Sequence, residues 1–490
     1  MRNDKKTNLM SREENCLVHA TVIVNDIEIK NIACKVYLPE RTHEKPYLLF
    51  KPDRVDAVRM TGSFKGIFKA DIIGLDKQLQ TTFMAPEVYF SENSTKYWGG
   101  DISESTILGE PQDLHKIDHL KNHDSPARTH VEFWISPNSF ITPFILQTTS
   151  YTGEITQERV RECEFAIKGG TLLKFDKRFK SKTLQNHDLI QWTHLVASFE
   201  MDMPSVELVT IKDDLLQDID DFLVLISFAS RIRTACLGWS AYDKHSITSF
   251  YRGNYSFPNV HKEVDLNDVV IDIQDFESFI KTCYSTFQDY QNKLALRNAI
   301  HSAIQSNPHS VETSYLSMFA GLETLILDFR RTENIEIVLP PGQFKHLRNY
   351  LKECIKKSTK PELTATQQES ICKKLGELNR VSLREAFENF CEQYGIHLLD
   401  LWPVFGGDGV VGLVDIRNKL IHGDPLSHDM FGALIVAKEH LKYTLERVLV
   451  KVLGWKLEKT KVSPAFLGVY GFGMKGLQAE QKILAEYIGG

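Results

Sequence analysis

Hydrophobic residues follow two different patterns along the 490-residue chain, one in each half. In the first half, short runs of β-branched and aromatic residues are broken by Gly, Pro, Asn and Asp, which is typical of antiparallel strands. These runs are HATVIVND, IACKVYLP, YLLFKPD, GIFKADIIG, THVEFWISP, CEFAIKGG and LVASFEMD. The pattern predicts a mainly antiparallel β domain over residues 1–275, with a helix near residues 212–235 and strands again after it.

From Asp275 onward, apolar residues recur every three or four positions, which predicts helices. Their predicted bounds are 276–306, 311–330, 343–357, 365–379, 382–394, 409–422 and 428–453. The sequence thus predicts an α+β protein with a β-rich domain over 1–275, an all-α helical bundle over 276–460, and a tail over 461–490 that ends in a short helix.

Composition is ordinary for a folded protein, with 42% hydrophobic and 25% charged residues. The net charge of −6 argues against a protein that coats nucleic acid, but −8 falls on residues 1–275 and +2 on residues 276–490. A polyanion would therefore meet the second half. The eight cysteines form no CxxC pair, and neither a signal peptide nor a membrane span is visible. We expect a cytoplasmic protein with reduced thiols and no membrane partner.

The stretch GFGMKG at residues 471–476 matches the GxGxxG pattern of dinucleotide sites. It follows a strand-like AFLGVY and precedes a helical LQAEQKILAEYI. A dinucleotide site also needs a further strand with an acidic residue about 20 positions on, and Gly490 is reached first. We interpret the stretch as a flexible glycine turn before a terminal helix and expect no cofactor.

His115, His119 and His123 follow one another at four-residue intervals. On a helix their imidazoles would share a face and could hold zinc. The surrounding DLHKIDHLKNHDSP is hydrophilic and lies in the β-rich region, which favours a solvated loop or a short surface helix. We therefore predict no metal site, although the spacing alone leaves zinc open.

A cation interrupts the apolar face of the helix predicted over residues 409–422, which contains VDIRNKLI. Arg417 falls at the centre of the side formed by Val410, Leu413, Val414, Leu420 and Ile421. An inward charge is costly unless a specific partner meets it. The helix SVETSYLSMFAGLETLILDF has the opposite anomaly, because Glu323 stands at the edge of the face formed by Tyr315, Phe319, Leu322 and Ile326. We expect Arg417 and Glu323 to form an ion pair.

Arg417, Asn418 and His422 spell R-N-x3-H, one form of an Arg-x4–6-His pattern. Spacing alone is not specific, since Arg12 and His19 also match. Only the first match lies on a predicted helix, which ends at His422 before a glycine suited to a left-handed C-cap. His422 therefore lies in the last turn, where the partial negative charge of the helix C-terminus attracts a cation. The residues alone leave open a structural ion pair or a functional site.

The RNKLIH helix, the earlier helix with AGLETLI, and a long closing helix from Phe431 to Leu453 together resemble the HEPN superfamily of helical-bundle ribonucleases. With the β-rich region in front, the chain looks like the Apea-type anti-phage proteins of bacteria. The resemblance in sequence motifs covers about residues 305–453. Before residue 305 the resemblance is one of architecture only. The resemblance implies a metal-independent endoribonuclease toxin of abortive infection, which cleaves RNA, with tRNA a candidate, as a homodimer.

The resemblance also implies roles for individual residues. A ribose 2′-hydroxyl would attack the adjacent phosphodiester and leave a 2′,3′-cyclic phosphate and a 5′-hydroxyl. His422 would act as general base or acid, and Arg417 would stabilise the developing phosphorane charge. Asn418 would orient the substrate or the histidine, and Glu323 would orient Arg417 or polarise His422. Arg417 and His422 diverge by about 140° on one helix, so two antiparallel copies would supply them jointly.

A predicted RNA track lies beside these residues. In FKHLRNYLKECIKK, we expect Phe344, Leu347, Leu351 and Ile355 to form a buried stripe. The residues predicted to bind RNA are Lys345, Arg348, Lys352 and Lys356 on an adjacent face, with Lys438, Lys442 and Lys451 added from the last helix. A solvated charged face is the alternative.

The leading prediction is an RNase effector whose β-rich domain senses an unknown phage trigger and restrains the bundle until infection. One alternative is a catalytically inactive HEPN-like module that binds nucleotide or protein and keeps the Arg-Glu pair for stability. In the other, the N-terminal domain binds a ligand or protein and the bundle only dimerises.

Overall fold

The computed structural model of the chain confirms the α+β class. It describes residues 15–24, 26–39, 45–61, 68–74, 80–98, 101–120, 128–149, 155–167, 171–183, 189–253, 265–304, 310–358, 360–407, 409–423 and 428–488. Contacts divide the chain into two compact units. We call Met1–Ser227 with Thr234–Asp265 the β-rich unit, and Phe228–Arg233 with Leu266–Gly490 the helical unit.

Six antiparallel strands of the β-rich unit close into a barrel. They are β1 Asn15–Val24, β2 Ile27–Tyr37, β3 Tyr47–Lys51, β4 Phe68–Gly74, β5 Gln80–Trp98 and β6 Asp101–Pro111. Their order around the barrel is β1-β2-β3-β6-β5-β4, and the pairing of β5 with β6 closes the ring. Alternation builds its core: in β1, Val18, Ala20 and Val22 are buried, whereas Leu17 is exposed.

Further strands extend this sheet from β5. The unit also contains α1 Arg54–Thr61, β7 Asp113–His119, β8 Thr129–Ile135, β9 Phe144–Thr149, β10 Ile155–Arg161, β11 Cys163–Ala166, β12 Leu172–Thr183, β13 Leu189–Met201, β14 Cys236–Tyr242, β15 Ser246–Arg252 and, as far as Ser227, the helix α2 Lys212–Ser230. Beyond β5 the order is β7-β15-β14-β8-β13-β12-β11, while β9 and β10 form a separate hairpin. Phe222 of α2 packs against Phe165 and Phe175, which covers the far part of the sheet.

All seven strand segments predicted from the sequence contain or overlap strands, and the helix expected near residues 212–235 is α2. The prediction of a loop or surface helix around His115 was wrong, because residues 113–119 form β7. β7 pairs with both β5 and β15, so its backbone is hydrogen-bonded to a neighbouring strand on each side. His115 is buried and His119 is exposed, while His123 lies outside the described residues.

The helical unit is built around one long central helix. Its helices are α3 Phe276–Asp289, α4 Lys293–Ala303, α5 Val311–Thr332, α6 Pro341–Lys356, α7 Ala365–Lys374, α8 Leu383–Tyr394, α9 Leu413–Ile421, α10 Phe431–Val452, α11 Pro464–Tyr470 and α12 Leu477–Ile488. α10 is buried on most sides and packs against α4, α5 and α12. Two ion pairs lie in this core: Glu446 accepts from Arg231 at 2.5 and 2.7 Å, and Arg447 donates to Asp400 at 2.6 Å.

Two helix predictions and one strand prediction need correction. The helix expected over residues 276–306 is two helices, because the chain breaks at Tyr290 and Asn292 caps α4 by accepting the Ala295 N–H. The helix expected from residue 409 begins at residue 413. AFLGVY is not a strand but α11, which starts at Pro464 after a Ser463 cap. The glycine turn expected before the terminal helix is confirmed by positive φ angles at residues 473 and 476.

No helix in the described part of the chain is both long enough and apolar enough to cross a bilayer.

Candidate functional site

Hydrogen bonds in the segment before α9 determine where that helix begins. Trp402 Nε1–H donates to the Val411 carbonyl at 2.8 Å, and the Asp415 carboxylate accepts the Gly412 N–H at 2.8 Å. A Cβ on Gly412 would lie 2.8 Å from the Phe405 Cα, so only glycine allows this close approach. The carboxylate caps the first turn, and α9 therefore starts four residues later than the apolar pattern predicts.

The contact of α9 with α5 shows which side of the helix is inside. Leu413 and Ile416 are buried, and the Tyr315 hydroxyl donates to the Leu413 carbonyl at 2.7 Å. Val410 is 42% exposed and Ile421 is 52% exposed. The predicted stripe was therefore wrong in position, since the buried side is centred on Leu413 and Ile416 and not on Arg417. Arg417 lies at its border, where a charge keeps part of its hydration.

The predicted ion pair between the two helices is present. Arg417 Nη2 lies 3.0 Å from Glu323 Oε2, with 30% and 23% of the two side chains exposed. Arg417 Nη1 donates to the Asn418 side-chain oxygen at 3.1 Å, and the guanidinium carbon lies 5.8 Å from the Phe319 ring centre. The structure thus brings together Arg417, Asn418 and Glu323 at the edge of the α5–α9 contact.

His422 occupies the C-cap of α9 and is exposed. The next residue, Gly423, has φ of +76°, which confirms the left-handed glycine expected there. Within the described residues, no hydrogen bond or ion pair connects the His422 side chain to Arg417, Asn418 or Glu323. The five-residue separation along one helix explains this, because it turns the two side chains about 140° apart.

The basic helix α6 differs from its prediction. Of the four residues expected to form its buried stripe, only Phe344 is buried, whereas Leu347 is exposed and Leu351 and Ile355 are partly exposed. α6 packs only on α7 and the neighbouring 3₁₀ turn Leu375–Asn379 among its larger contacts, which leaves much of its surface in solvent. The four predicted RNA-binding residues on α6 are accordingly exposed or partly exposed, namely Lys345, Arg348, Lys352 and Lys356.

The basic residues of α10 have acidic neighbours that their spacing did not predict. Lys438 Nζ lies 2.8 Å from Glu439, and Lys442 Nζ lies 3.8 Å from Asp268. Their side chains are 24% and 20% exposed. A bare cationic face therefore does not continue along this part of α10.

Three clustered metal-ligating side chains do not occur anywhere among the described residues. His115, which the spacing placed in a candidate zinc face, is 3% exposed and lies against the Phe250 ring at 4.9 Å. Burial, and then repulsion by Lys212, lower the pKa of His115 to about 4. The imidazole is therefore neutral at pH 7 and belongs to the core of the β-rich unit.

Sequence reasoning missed two residues that position α9. Tyr315 was assigned to an apolar face, but its hydroxyl holds the first turn of the helix. Trp402 was not singled out, although it holds the segment that leads into the helix. Both are fully buried, and a buried Tyr or Trp generally needs a polar partner, which is the signal that was available in the sequence.

No protein-family model matches this chain, and searches of curated proteins and of solved structures also give no match.

Proposed function

We propose that the helical unit is a metal-independent endoribonuclease of the HEPN type, active as a homodimer, in an effector of anti-phage defence. The observation that carries this proposal is the group formed by Arg417, Asn418 and Glu323, with His422 exposed at the end of the same helix. A partly exposed guanidinium held by a carboxylate is oriented and still able to meet a phosphate. The resemblance of this helix to HEPN ribonucleases supplies the reaction.

In the proposed reaction, His422 takes the proton from a ribose 2′-hydroxyl, which attacks the adjacent phosphorus. The bond to the 5′-oxygen breaks, a proton goes to that oxygen, and a 2′,3′-cyclic phosphate remains. Arg417 stabilises the charge that develops on the phosphoryl oxygens. Asn418 positions the substrate, and Glu323 fixes the guanidinium.

The homodimer belongs to the proposal because one helix cannot aim both key side chains at one phosphate. Val410 and Ile421 lie near the ends of α9 and are exposed, as is Phe431 at the start of α10. Exposed apolar side chains of this kind suit a contact with a second copy. Two antiparallel α9 helices would then place His422 of one copy near Arg417 of the other.

The β-rich unit is proposed to receive the phage trigger, and the exposed or partly exposed lysines and arginine of α6 are proposed to guide RNA toward α9. Guidance of this kind depends on charge and weakens as salt rises.

One observation favours a second candidate, in which the bundle binds a partner without cleaving. Both terminal nitrogens of Arg417 already have acceptors within the chain, one on Glu323 and one on Asn418. A phosphate would have to replace or share these bonds. In this second candidate the ion pair only fixes the packing of α9 on α5.

The test compares purified wild type with His422→Ala, Arg417→Gln and the control His397→Ala, which also removes an exposed imidazole of the helical unit. Each is incubated with total RNA in EDTA, with and without extract of phage-infected cells. The proposal is supported if wild type and His397→Ala cleave RNA while the cleavage rate of the other two variants falls about 100-fold or more. A loss of this size is expected when a catalytic acid or base is removed. Equal cleavage by all four, or none by wild type in either condition, contradicts it.

A further inference from the structure

A cleft of about 810 Å³ opens in the helical unit, and none of its lining residues belongs to α5 or α9. This volume lies within the usual range for ligand sites. The residues that line it are Glu439, Lys442 and Tyr443 from α10, Lys461, Phe466, Tyr470 and Phe472 from the segment after α10, and the polar residues Arg231, Asn267, Asp268 and Asp272.

The acidic side chains of the cleft mostly have close cationic partners. Asp268 accepts from Arg231 Nη1 at 2.5 Å, and Glu439 lies 2.8 Å from Lys438. Lys442 differs, because its nearest carboxylate is at 3.8 Å, which is beyond hydrogen-bond distance. The Lys442 side chain is 20% exposed, and its ammonium group still has N–H donors to offer to a ligand.

Aromatic rings also line the cleft. Phe466 and Tyr470 have ring centres 4.9 Å apart, and Tyr470 and Phe472 are 73% and 55% exposed. Large exposed rings beside a concave surface commonly mark a binding site, because a ligand that covers them removes apolar area from water. A planar apolar body would therefore be stabilised against these rings.

We propose that the cleft binds an aromatic organic anion, a planar ring system that carries a carboxylate, sulfonate or phosphate. Lys442 donates to the anionic group. Tyr470 and Phe472 cover the ring, and Tyr443, which also lines the cleft, can donate its hydroxyl proton to the ligand.

A chain of hydrogen bonds connects this cleft to α9. The Phe472 N–H donates to the Tyr443 hydroxyl at 3.2 Å. The carbonyl oxygen of the following residue, Gly473, lies 3.4 Å from His440 Nε2. The other ring nitrogen of His440, Nδ1, accepts the backbone N–H of Trp402 at 3.2 Å. Nδ1 therefore carries no proton, and Nε2 is the donor to Gly473. His440 is fully buried, so both bonds are shielded from water.

Trp402 completes the connection, because its indole N–H holds the Val411 carbonyl just before α9. A ligand that orders Phe472 thus also orders His440, Trp402 and the start of α9. This coupling rests on the proposed function for its biological meaning, since it regulates α9 only if α9 carries the active site. The binding site itself is independent of that function.

Binding is tested with anilinonaphthalene sulfonate, an aromatic anion that fluoresces in apolar sites, and with uncharged N-phenylnaphthylamine as the matched probe. Lys442→Gln is compared with Lys475→Gln, which removes an exposed lysine of the nearby glycine turn. We expect Lys442→Gln to weaken sulfonate binding about tenfold, as for loss of one charge-assisted hydrogen bond, and to leave the uncharged probe unaffected. Equal sulfonate binding by all three proteins overturns the proposed site.

Coupling is tested by hydrogen exchange over residues 411–421, a measurement that needs no nuclease activity. We expect saturating sulfonate probe to slow this exchange in wild type and to have no such effect in Trp402→Phe, which lacks the indole N–H. His440→Asn is the second variant. Its side-chain oxygen can still accept the backbone N–H of Trp402, but the shorter side chain cannot reach the Gly473 carbonyl. Bound probe with unchanged exchange in wild type overturns the coupling, whether or not the protein cleaves RNA.

Discussion

The ion pair between Arg417 and Glu323 allows a quantitative separation of the two candidate functions. If the pair only fixes the fold, removing it should cost much stability. If it orients a guanidinium for catalysis, removing it should cost little stability and most of the activity. The perturbation is a double-mutant cycle of Arg417→Gln, Glu323→Gln and the combined variant, each replacement keeping much of the side-chain volume.

The structure gives the expected size of the effect. The two side chains are 30% and 23% exposed and meet at 3.0 Å. Partly exposed ion pairs contribute about 1 kcal/mol or less to the free energy of unfolding, because water screens the attraction between the two charges. The position of Arg417 over Phe319 adds about 0.5 kcal/mol. We therefore expect Arg417→Gln to lower the free energy of unfolding by about 1 to 2 kcal/mol, with a coupling energy to Glu323 of about 1 kcal/mol.

An internal standard exists in the same unit. Arg447 is fully buried and donates to Asp400 at 2.6 Å with two nitrogens, while the Asp400 side chain is 33% exposed. Removing the carboxylate leaves the buried guanidinium without its anion, which costs about 3 to 5 kcal/mol. Asp400→Asn should therefore destabilise the protein about twice as much as Arg417→Gln, or more.

The assay is urea unfolding at pH 7, followed by circular dichroism at helical wavelengths, with RNA cleavage measured on the same preparations. A coupling energy of about 3 kcal/mol or more between Arg417 and Glu323 would refute the reasoning, since a partly exposed pair cannot supply it. So would an Arg417→Gln protein that unfolds like wild type and cleaves RNA at the same rate.

Two further predictions concern each unit separately. Because the folded-state pKa of His115 is lowered from 6.5 to about 4, the unfolded chain binds the extra proton, so the stability that this histidine contributes is present above pH 6.5 and is lost as pH falls toward 4. Urea unfolding at pH 7 and pH 5 should show wild type losing about 2 kcal/mol more than His115→Leu, and equal losses would contradict the assignment. In the helical unit, an added Cβ on Gly321 would lie 2.7 Å from the Ser302 Cβ, so Gly321→Ala should destabilise by about 1 to 3 kcal/mol. Gly468→Ala, with open space around its added Cβ, should be neutral or stabilising by up to about 1 kcal/mol, and a lower melting temperature for it than for Gly321→Ala would reject this view.

Much of the architecture was predictable because it depends on local patterns. Strands rich in Val, Ile and Phe and helices with a clear period were identified, since each buries one regular set of side chains. β5 and β6 were missed because they contain runs such as SENSTK and DISES, which read as polar loops. Their pairing closes the barrel, and a ring closure between distant residues leaves no mark on either sequence alone.

The candidate site shows the same limit at finer scale. The ion pair was predictable because two opposite charges sat beside apolar faces of helices in one bundle. The centre of the buried face of α9 was not predictable. A helix of nine residues is buried only where neighbouring residues contact it, and α9 is positioned by Tyr315 and Trp402, which lie elsewhere in the chain. α6 makes the complementary point: an amphipathic period predicts a face that could be buried, but burial needs a partner.

The helical unit is discontinuous in sequence, and this affects how it can be isolated. Residues Phe228–Arg233 belong to it although about thirty residues of the β-rich unit separate them from Leu266. A fragment that starts at residue 266 or 276 would lack Arg231 and so leave Glu446, which is 1% exposed, without its guanidinium. An unpaired buried carboxylate costs about 3 to 5 kcal/mol, a large part of a typical domain's stability. An inactive or insoluble truncated bundle would therefore be evidence about this missing arginine and not about the chemistry proposed for α9.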